Sequence, residues 1–156
     1  MNVSTISSVD ELGSIFADSL LEVISKISGF SLEVLSSERE AEFSGMVGVM
    51  ALNSQKRGMI FISAGEYNMR VLCSFMTGVP KNEVTKDDIE DALCELVNMT
   101  AGNAKLRIND ENYAFTLTPP FVINGENMSI ITKKRVHVVS RILGDGEIFV
   151  KLKIVY

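Results

Sequence analysis

Between residues 9 and 27 the apolar positions Leu12, Ile15, Phe16, Leu20, Val23, Ile24 and Ile27 recur at helical spacing, which predicts an amphipathic helix. Asp10 suits its N-cap or first turn, and Gly29 stops it as a C′ glycine would. The pattern then changes. Residues 42–52 and 58–63 are rich in β-branched, aromatic and Met residues, and the polar Asn53-Ser54-Gln55-Lys56-Arg57 between them reads as the turn of a hairpin. A second helix is expected over about 66–76, with Met69, Val71, Leu72, Phe75 and Met76 on its buried face. It ends at Gly78, ahead of Pro80. A third begins with Thr85 as N-cap and with Asp87 and Asp88 in the first turn, where the helix dipole favours negative charge, and continues to about Leu106. Beyond it, residues 113–118, 127–133, 136–143 and 146–155 alternate as strands do, punctuated by Pro119-Pro120 and Gly144-Asp145-Gly146.

These elements predict an α+β fold: long helices packed on one face of a largely antiparallel sheet, within one domain spanning 1–156. The first and third helices also align without gaps. Asp18, Leu20, Glu22 and Gly29 fall at the same offsets as Asp91, Leu93, Glu95 and Gly102, which suggests two related halves at about 9–78 and 85–156.

On the third helix, steps of three and four residues bring Asp91, Glu95, Asn98, Gly102 and Lys105 onto one stripe. Ile89, Ala92, Leu93, Leu96, Val97, Thr100 and Ala104 fill the opposite side. The plain reading of such a stripe is the solvated face of a surface helix. Two residues argue for more. Gly102 costs a helix interior about 1 kcal/mol relative to alanine, although a surface position would accept almost any good helix former. A missing side chain there would let a partner's backbone come close. Asn98 is also a mediocre helix former, yet it stands one turn from Glu95. A carboxylate beside an amide suits water-mediated hydrolysis of an activated phosphate, because an amide both donates and accepts hydrogen bonds and can orient an attacking water.

Glu95-Leu-Val-Asn98-Met-Thr-Ala-Gly102-Asn103, preceded by Asp91, resembles the ExxN motif of the CheC/CheX/FliY chemotaxis phosphatases, and of their CheX-like members most of all. Gly58-Met-Ile-Phe-Ile-Ser63, the stretch from Val71 to Gly78, and Thr118-Pro119-Pro120-Phe-Val-Ile-Asn-Gly125 resemble CheX segments in the same order. The resemblance covers about 9–131 and weakens from Lys133 onward. It implies a CheC-like fold, a homodimer, and removal of the phosphoryl group from the aspartate of a phosphorylated CheY-like response regulator. Carried over, the catalytic residues are Glu95, engaging a lysine of the regulator, and Asn98, orienting the water. Mg²⁺ is then expected on the regulator, with no cofactor of the chain's own. CheC proteins carry two ExxN sites. The first-half counterpart here is Glu22-xx-Ser25, and serine lacks the planar amide, so that site is expected to be inactive.

Composition narrows the rest. A net charge of −5 and a basic run no longer than Lys133-Lys134-Arg135 argue against nucleic-acid binding, which depends on Lys and Arg releasing counterions. No window reaches the roughly 18 apolar residues of a membrane span. Cys73 and Cys94 lack CxxC spacing and no secretory segment stands near Met1, so a cytoplasmic protein with two core thiols is expected. His137 stands in a strand-like stretch with no Ser or Cys partner motif nearby and reads as structural. Gly45 and Gly48 lack the following Lys-Ser/Thr of a phosphate loop and read as a bulge or close backbone packing. The methionines read as gap-fillers. No Asp, Glu, His or Cys cluster has metal-ligand spacing. The alternative function is a non-catalytic module that binds receiver domains or flagellar-switch components through the same helix. Its mark would be binding that depends on Asp91, Glu95 and Lys105 without any change in phosphate lifetime.

Overall fold

A computed structural model of the chain describes residues 6, 8–30, 32–38, 42–133, 136–143 and 148–156. The three expected helices form, and local chemistry sets their ends. Helix α1 spans Val9–Ser28; Ser8 is its N-cap, accepting from the Glu11 N–H at 3.3 Å, with Asp10 in the first turn. Gly29 adopts φ 75° and donates its N–H to the Ser25 carbonyl at 2.7 Å, closing the last turn in the left-handed conformation that glycine takes without strain. Helix α2, Glu66–Thr77, stops in the same way at Gly78. Helix α3, Lys86–Arg107, opens on a capping box. Thr85 Oγ1 accepts from the Asp88 N–H at 3.2 Å, and the Asp88 carboxylate accepts from the Thr85 N–H at 2.8 Å. That backbone N–H holds the Asp88 carboxyl below the usual carboxylate range, and the Thr85 hydroxyl adds to the effect.

The strands are β1 (Leu32–Glu38), β2 (Glu42–Asn53), β3 (Gly58–Ala64), β4 (Thr116–Leu117), β5 (Phe121–Ser129), β6 (Val136–Leu143) and β7 (Ile148–Val155). Among the described residues they form one sheet in the order β1-β6-β7-β3-β2, with β4 and β5 both on the remaining side of β2. Every pairing is antiparallel. The fold class is therefore α+β, as expected. Each of α1 and α3 is followed by strands that exchange places: β1 lies beside β6 at one edge, β5 lies beside β2 at the other, and β3 meets β7 in the middle.

The strand boundaries depart from the sequence reading in three places. β1 was not expected, because its apolar residues Leu32, Val34 and Leu35 are crowded ahead of Ser36-Ser37-Glu38 and do not keep the alternation of a strand. The strand expected over 113–118 shrinks to Thr116–Leu117, since Glu111–Tyr113 is a 3-10 turn capped by Asp110, which accepts from the Asn112 N–H at 2.9 Å. The same carboxylate accepts from the Ile6 N–H at 3.2 Å. The strand expected over 127–133 runs instead over Phe121–Ser129. Phe121, Val122 and Ile123 pair directly with Val49, Gly48 and Val47. Pro119-Pro120 separates β4 from β5 because proline has no N–H to give a ladder, but the chain keeps its course along β2. Phe75 is also corrected: it is 47% exposed and packs edge-on against Phe30, with ring centroids 5.4 Å apart, so it belongs to the rim and not the core. Gly144-Asp145-Gly146, Lys134 and Arg135 lie outside the described residues, as does the His137 side chain; the His137 backbone pairs with Ile154.

The main core lies between the helices and one face of the sheet. Leu12, Phe16, Leu20 and Ile24 of α1, Met69 and Leu72 of α2, and Leu93, Leu96 and Val97 of α3 pack on Met50, Leu52, Ile60, Ile62, Leu152 and Ile154. Each such side chain contributes about 1.5–3 kcal/mol by leaving water. A smaller cluster of Phe43, Val47, Val49, Phe61 and Val155 occupies the other face. Met50 and Met69 are buried and Met46, Met59 and Met76 half-buried against these clusters, as gap-fillers would be. Two glycines of β2 have the roles expected of them. Gly45, at φ 83°, sits where the β2–β5 register shifts. A Cβ at Gly48 would lie 2.6 Å from Val97 Cγ2 and 2.9 Å from Leu93 Cγ, so its bare backbone is what lets α3 settle on the sheet.

Candidate active site

Docking on β2 fixes which side of α3 faces out. Ile89, Ala92, Leu93, Leu96, Val97, Thr100, Ala101 and Ala104 are buried. Asp91, Glu95, Asn98 and Lys105 are exposed and Gly102 is half-buried. The predicted stripe thus exists as a surface, with Glu95 and Asn98 one turn apart. Among the described residues, neither side chain makes a hydrogen bond or ion pair. A carboxylate and an amide held on a packed helix, with their hydrogen-bonding capacity uncommitted, can meet an external cation and an external water without first breaking contacts.

The first-half counterpart is occupied. Glu22 pairs with Lys26 at 2.7 Å and also accepts from the Arg107 guanidinium, which reaches across from the end of α3. Arg107 Nε in turn donates to Asn103 Oδ1 at 2.7 Å. The Lys26 hydrogen bond, supported by Arg107 and Asn103, holds the Glu22 carboxyl below its ordinary range. Glu22 therefore ties α1 to α3, whereas Glu95 is left to solvent. That difference was not legible beforehand, because Glu22 and Arg107 are 85 residues apart in the chain.

A Cβ placed at Gly102 would meet nothing within 4 Å. No packing among the described residues calls for glycine at this position. Gly102→Ala is expected to raise the unfolding free energy by about 0.5–1 kcal/mol, through helix propensity and a restricted unfolded chain. Urea denaturation would measure it, and a loss of stability would show that the space is filled after all.

Leu106 escaped the sequence reading. It stands at the end of the helix, where an apolar residue is assigned by default to the core, yet it is 84% exposed. Its spacing of four from Gly102 and eleven from Glu95 was the available signal, since both intervals return to the same side of a helix.

Cys73 is buried and Cys94 half-buried. Burial pushes both thiols up from their ordinary range, away from the thiolate form that reactive cysteines need. Among the described residues no group of three or more His, Cys, Asp or Glu side chains could hold a metal ion. No helix among them is long and apolar enough to cross a membrane. A cavity of about 290 Å³ opens between the start of α2, the start of α3 and the β2 bulge, lined in part by Gly45, Met46, Met69 and Ile89, and it includes neither Glu95 nor Asn98.

The sequence matches the family described as chemotaxis phosphatase CheX over residues 46–142, a stretch that contains all of α3. Among curated proteins no sequence matches. Solved structures do. The chemotaxis protein CheX from Vibrio vulnificus superposes with a TM-score of 0.78 at 18% identity, over 93% of this chain and 98% of that one. CheX from Borrelia burgdorferi, solved as a CheX–CheY–BeF₃–Mg²⁺ complex, gives 0.75 at 23% identity, over 91% and 95%. FliY from Thermotoga maritima gives 0.60 at 21% identity, over 94% and 86%.

Proposed function

The chain belongs to the chemotaxis phosphatase CheX family, and from that premise we propose that it hydrolyses the aspartyl phosphate of a phosphorylated CheY-like response regulator, using Glu95 and Asn98. One observation carries the residue assignment: these two side chains stand together on the exposed stripe of α3 with no intramolecular partner among the described residues, while their first-half counterpart Glu22 is engaged by Lys26 and Arg107.

In this reading Glu95 pairs with a lysine of the regulator and sets the register of docking, a charge-assisted contact. Asn98 then lies beside the acyl phosphate. Its amide oxygen accepts from a water and its amide N–H can donate to the same water or to a phosphoryl oxygen, which aligns the water with the phosphorus opposite the aspartate oxygen. The water oxygen bonds to phosphorus as the bond from phosphorus to the aspartate oxygen breaks. The regulator regains its carboxylate, and the water's proton leaves with inorganic phosphate or to solvent. Asn98 supplies orientation and no proton, which is enough because the acyl phosphate is already activated. Mg²⁺ on the regulator neutralises the phosphoryl charge, as the complex of the Borrelia relative suggests by containing that ion with CheY. Gly102 supports the same reading, since it leaves the helix backbone open to an approaching surface.

We infer also that the chain is built of two related halves, about 9–78 and 85–156. The exchanged positions of β1 and β5, and of β2 and β6, in the sheet support this. Only the second half then carries a working site, since Ser25 lacks the amide and Glu22 is committed to the α1–α3 contact.

Release of inorganic phosphate from a phosphorylated CheY-like regulator tests the proposal. Addition of the chain is expected to shorten the phosphate lifetime in proportion to its concentration. Glu95→Ala is expected to raise KM and lower kcat together, reducing kcat/KM about ten- to a hundredfold, because the lost contact serves both docking and alignment. Tight binding with an unchanged phosphate lifetime would make the chain a docking module instead.

A further inference from the structure

Of the residues on α3, Leu106 is the large apolar side chain that the fold leaves in water, at 84% exposure. Its position is not arbitrary. Eleven residues beyond Glu95 it returns to within about 20° of the same helical direction, roughly 16 Å further along the axis. Four residues before it stands Gly102, over which no atom lies within 4 Å. From Glu95 onward the stripe therefore presents a carboxylate, an amide, a stretch of bare backbone and an apolar tip. The turn carrying that tip is held in place. Arg107, the next residue, is bonded to Glu22 of α1 and to Asn103 one turn back. A leucine on a frayed helix end would be of little use as a contact, but this one is presented at a fixed height by a tied turn.

We propose that Leu106 is the apolar anchor of the regulator-docking surface, a specificity and affinity residue for the reaction assigned above, on which this inference rests. The occupant is a folded receiver domain. A small phosphate compound held at Asn98 could not span the distance to Leu106, whereas a domain whose phosphoaspartate meets Asn98 lays its neighbouring surface across Gly102 and onto the leucine. Hydrophobic anchoring at one end and a charged contact at the other fix both the affinity and the angle of approach.

The test separates docking from chemistry. Steady-state phosphate release is measured against regulator concentration, together with the Kd for a beryllofluoride-loaded regulator, for the wild-type chain and for Leu106→Ser, Leu106→Met and Ile131→Ser. Leu106→Ser is expected to raise KM and Kd about tenfold with kcat unchanged, and Leu106→Met to restore both. Ile131, 94% exposed off the helix, serves as the comparison, and Ile131→Ser is expected to change neither constant. KM and Kd within twofold of wild type for Leu106→Ser would overturn the inference, as would an equal loss in Ile131→Ser. A changed oligomeric state in Leu106→Ser with unchanged KM would overturn it too, by giving the leucine to a second copy of the chain. If the wild-type chain binds the loaded regulator but releases no phosphate, the assigned reaction fails while the Kd comparison still decides the role of Leu106. A wild-type chain that neither binds nor hydrolyses overturns both.

Discussion

Asn98→Ala is expected to lower kcat for phosphate release by about a hundredfold or more, with KM changed by no more than roughly threefold. The size follows from what the amide is asked to do. Orientation of a nucleophile against an activated phosphorus is nearly all the catalysis such a site can offer, and alanine removes the atoms that provide it. The same change should cost the fold nothing. Asn98 is exposed and makes no side-chain hydrogen bond among the described residues, and alanine is the better helix former. Stability by urea denaturation should stay within about 0.5 kcal/mol of wild type or rise slightly. Asn98→Ser, which copies the residue at Ser25, should be as slow as alanine, because a hydroxyl cannot donate and accept from the two ends of a planar group. Asn98→Asp should be slower still, since it sets a negative charge against the phosphoryl oxygens. Single-turnover phosphate release under saturating enzyme isolates the chemical step from docking. A full rate in Asn98→Ala would end the assignment of the water to this residue.

What could be read from the sequence followed from periodicity. The three helices declare themselves by apolar residues at steps of three and four, and their ends by Gly29, Gly78 and Thr85. The exposed stripe of α3 is the complement of the same pattern, so Glu95, Asn98 and Gly102 were placed correctly on an outward face. The edge strands were harder. β1 has its apolar residues crowded ahead of Ser36-Ser37-Glu38, and β5 has no buried residue, only exposed and half-buried ones, so neither shows the alternation that a strand with one dry face would. The Pro119-Pro120 pair misled because proline usually ends a strand; here the strand resumes immediately after it along β2. The commitment of Glu22 could not be read locally at all, because it depends on an arginine 85 residues away. The exposure of Leu106 could have been read, from its spacing of four from Gly102 and eleven from Glu95 on the outward side of α3.

The second large effect concerns the seat of the helix. Gly48→Ala is expected to lower the unfolding free energy by about 1–3 kcal/mol, the usual cost of forcing extra volume into a packed core. The added Cβ would lie 2.6 Å from Val97 Cγ2, 2.9 Å from Leu93 Cγ and 3.2 Å from the Leu93 carbonyl oxygen. Neither neighbour has room to retreat, since both Leu93 and Val97 are fully buried between α3 and the sheet. Relief must come from α3 lifting away from β2, and Glu95 lies between the two residues that would be pushed. Phosphate release should therefore fall further than the stability alone accounts for, because an error of about 1 Å in the placement of an orienting group costs on the order of a hundredfold. A double-mutant cycle identifies the cause. Val97→Ala alone should destabilise by leaving a cavity, yet combined with Gly48→Ala it removes the atom nearest the clash. The pair should then be more stable than the sum of the two changes predicts, by about 0.5–3 kcal/mol, the range for residues in contact. Strict additivity in urea denaturation would mean that Gly48 is not what sets the distance between α3 and the sheet. The comparison with Gly102 is the sharper control. Gly48 lies beneath α3 on β2 and Gly102 on the outward side of α3; the first has a methyl group 2.6 Å from where its Cβ would be and the second has nothing within 4 Å. The same substitution should therefore destabilise the chain at Gly48 and stabilise it at Gly102.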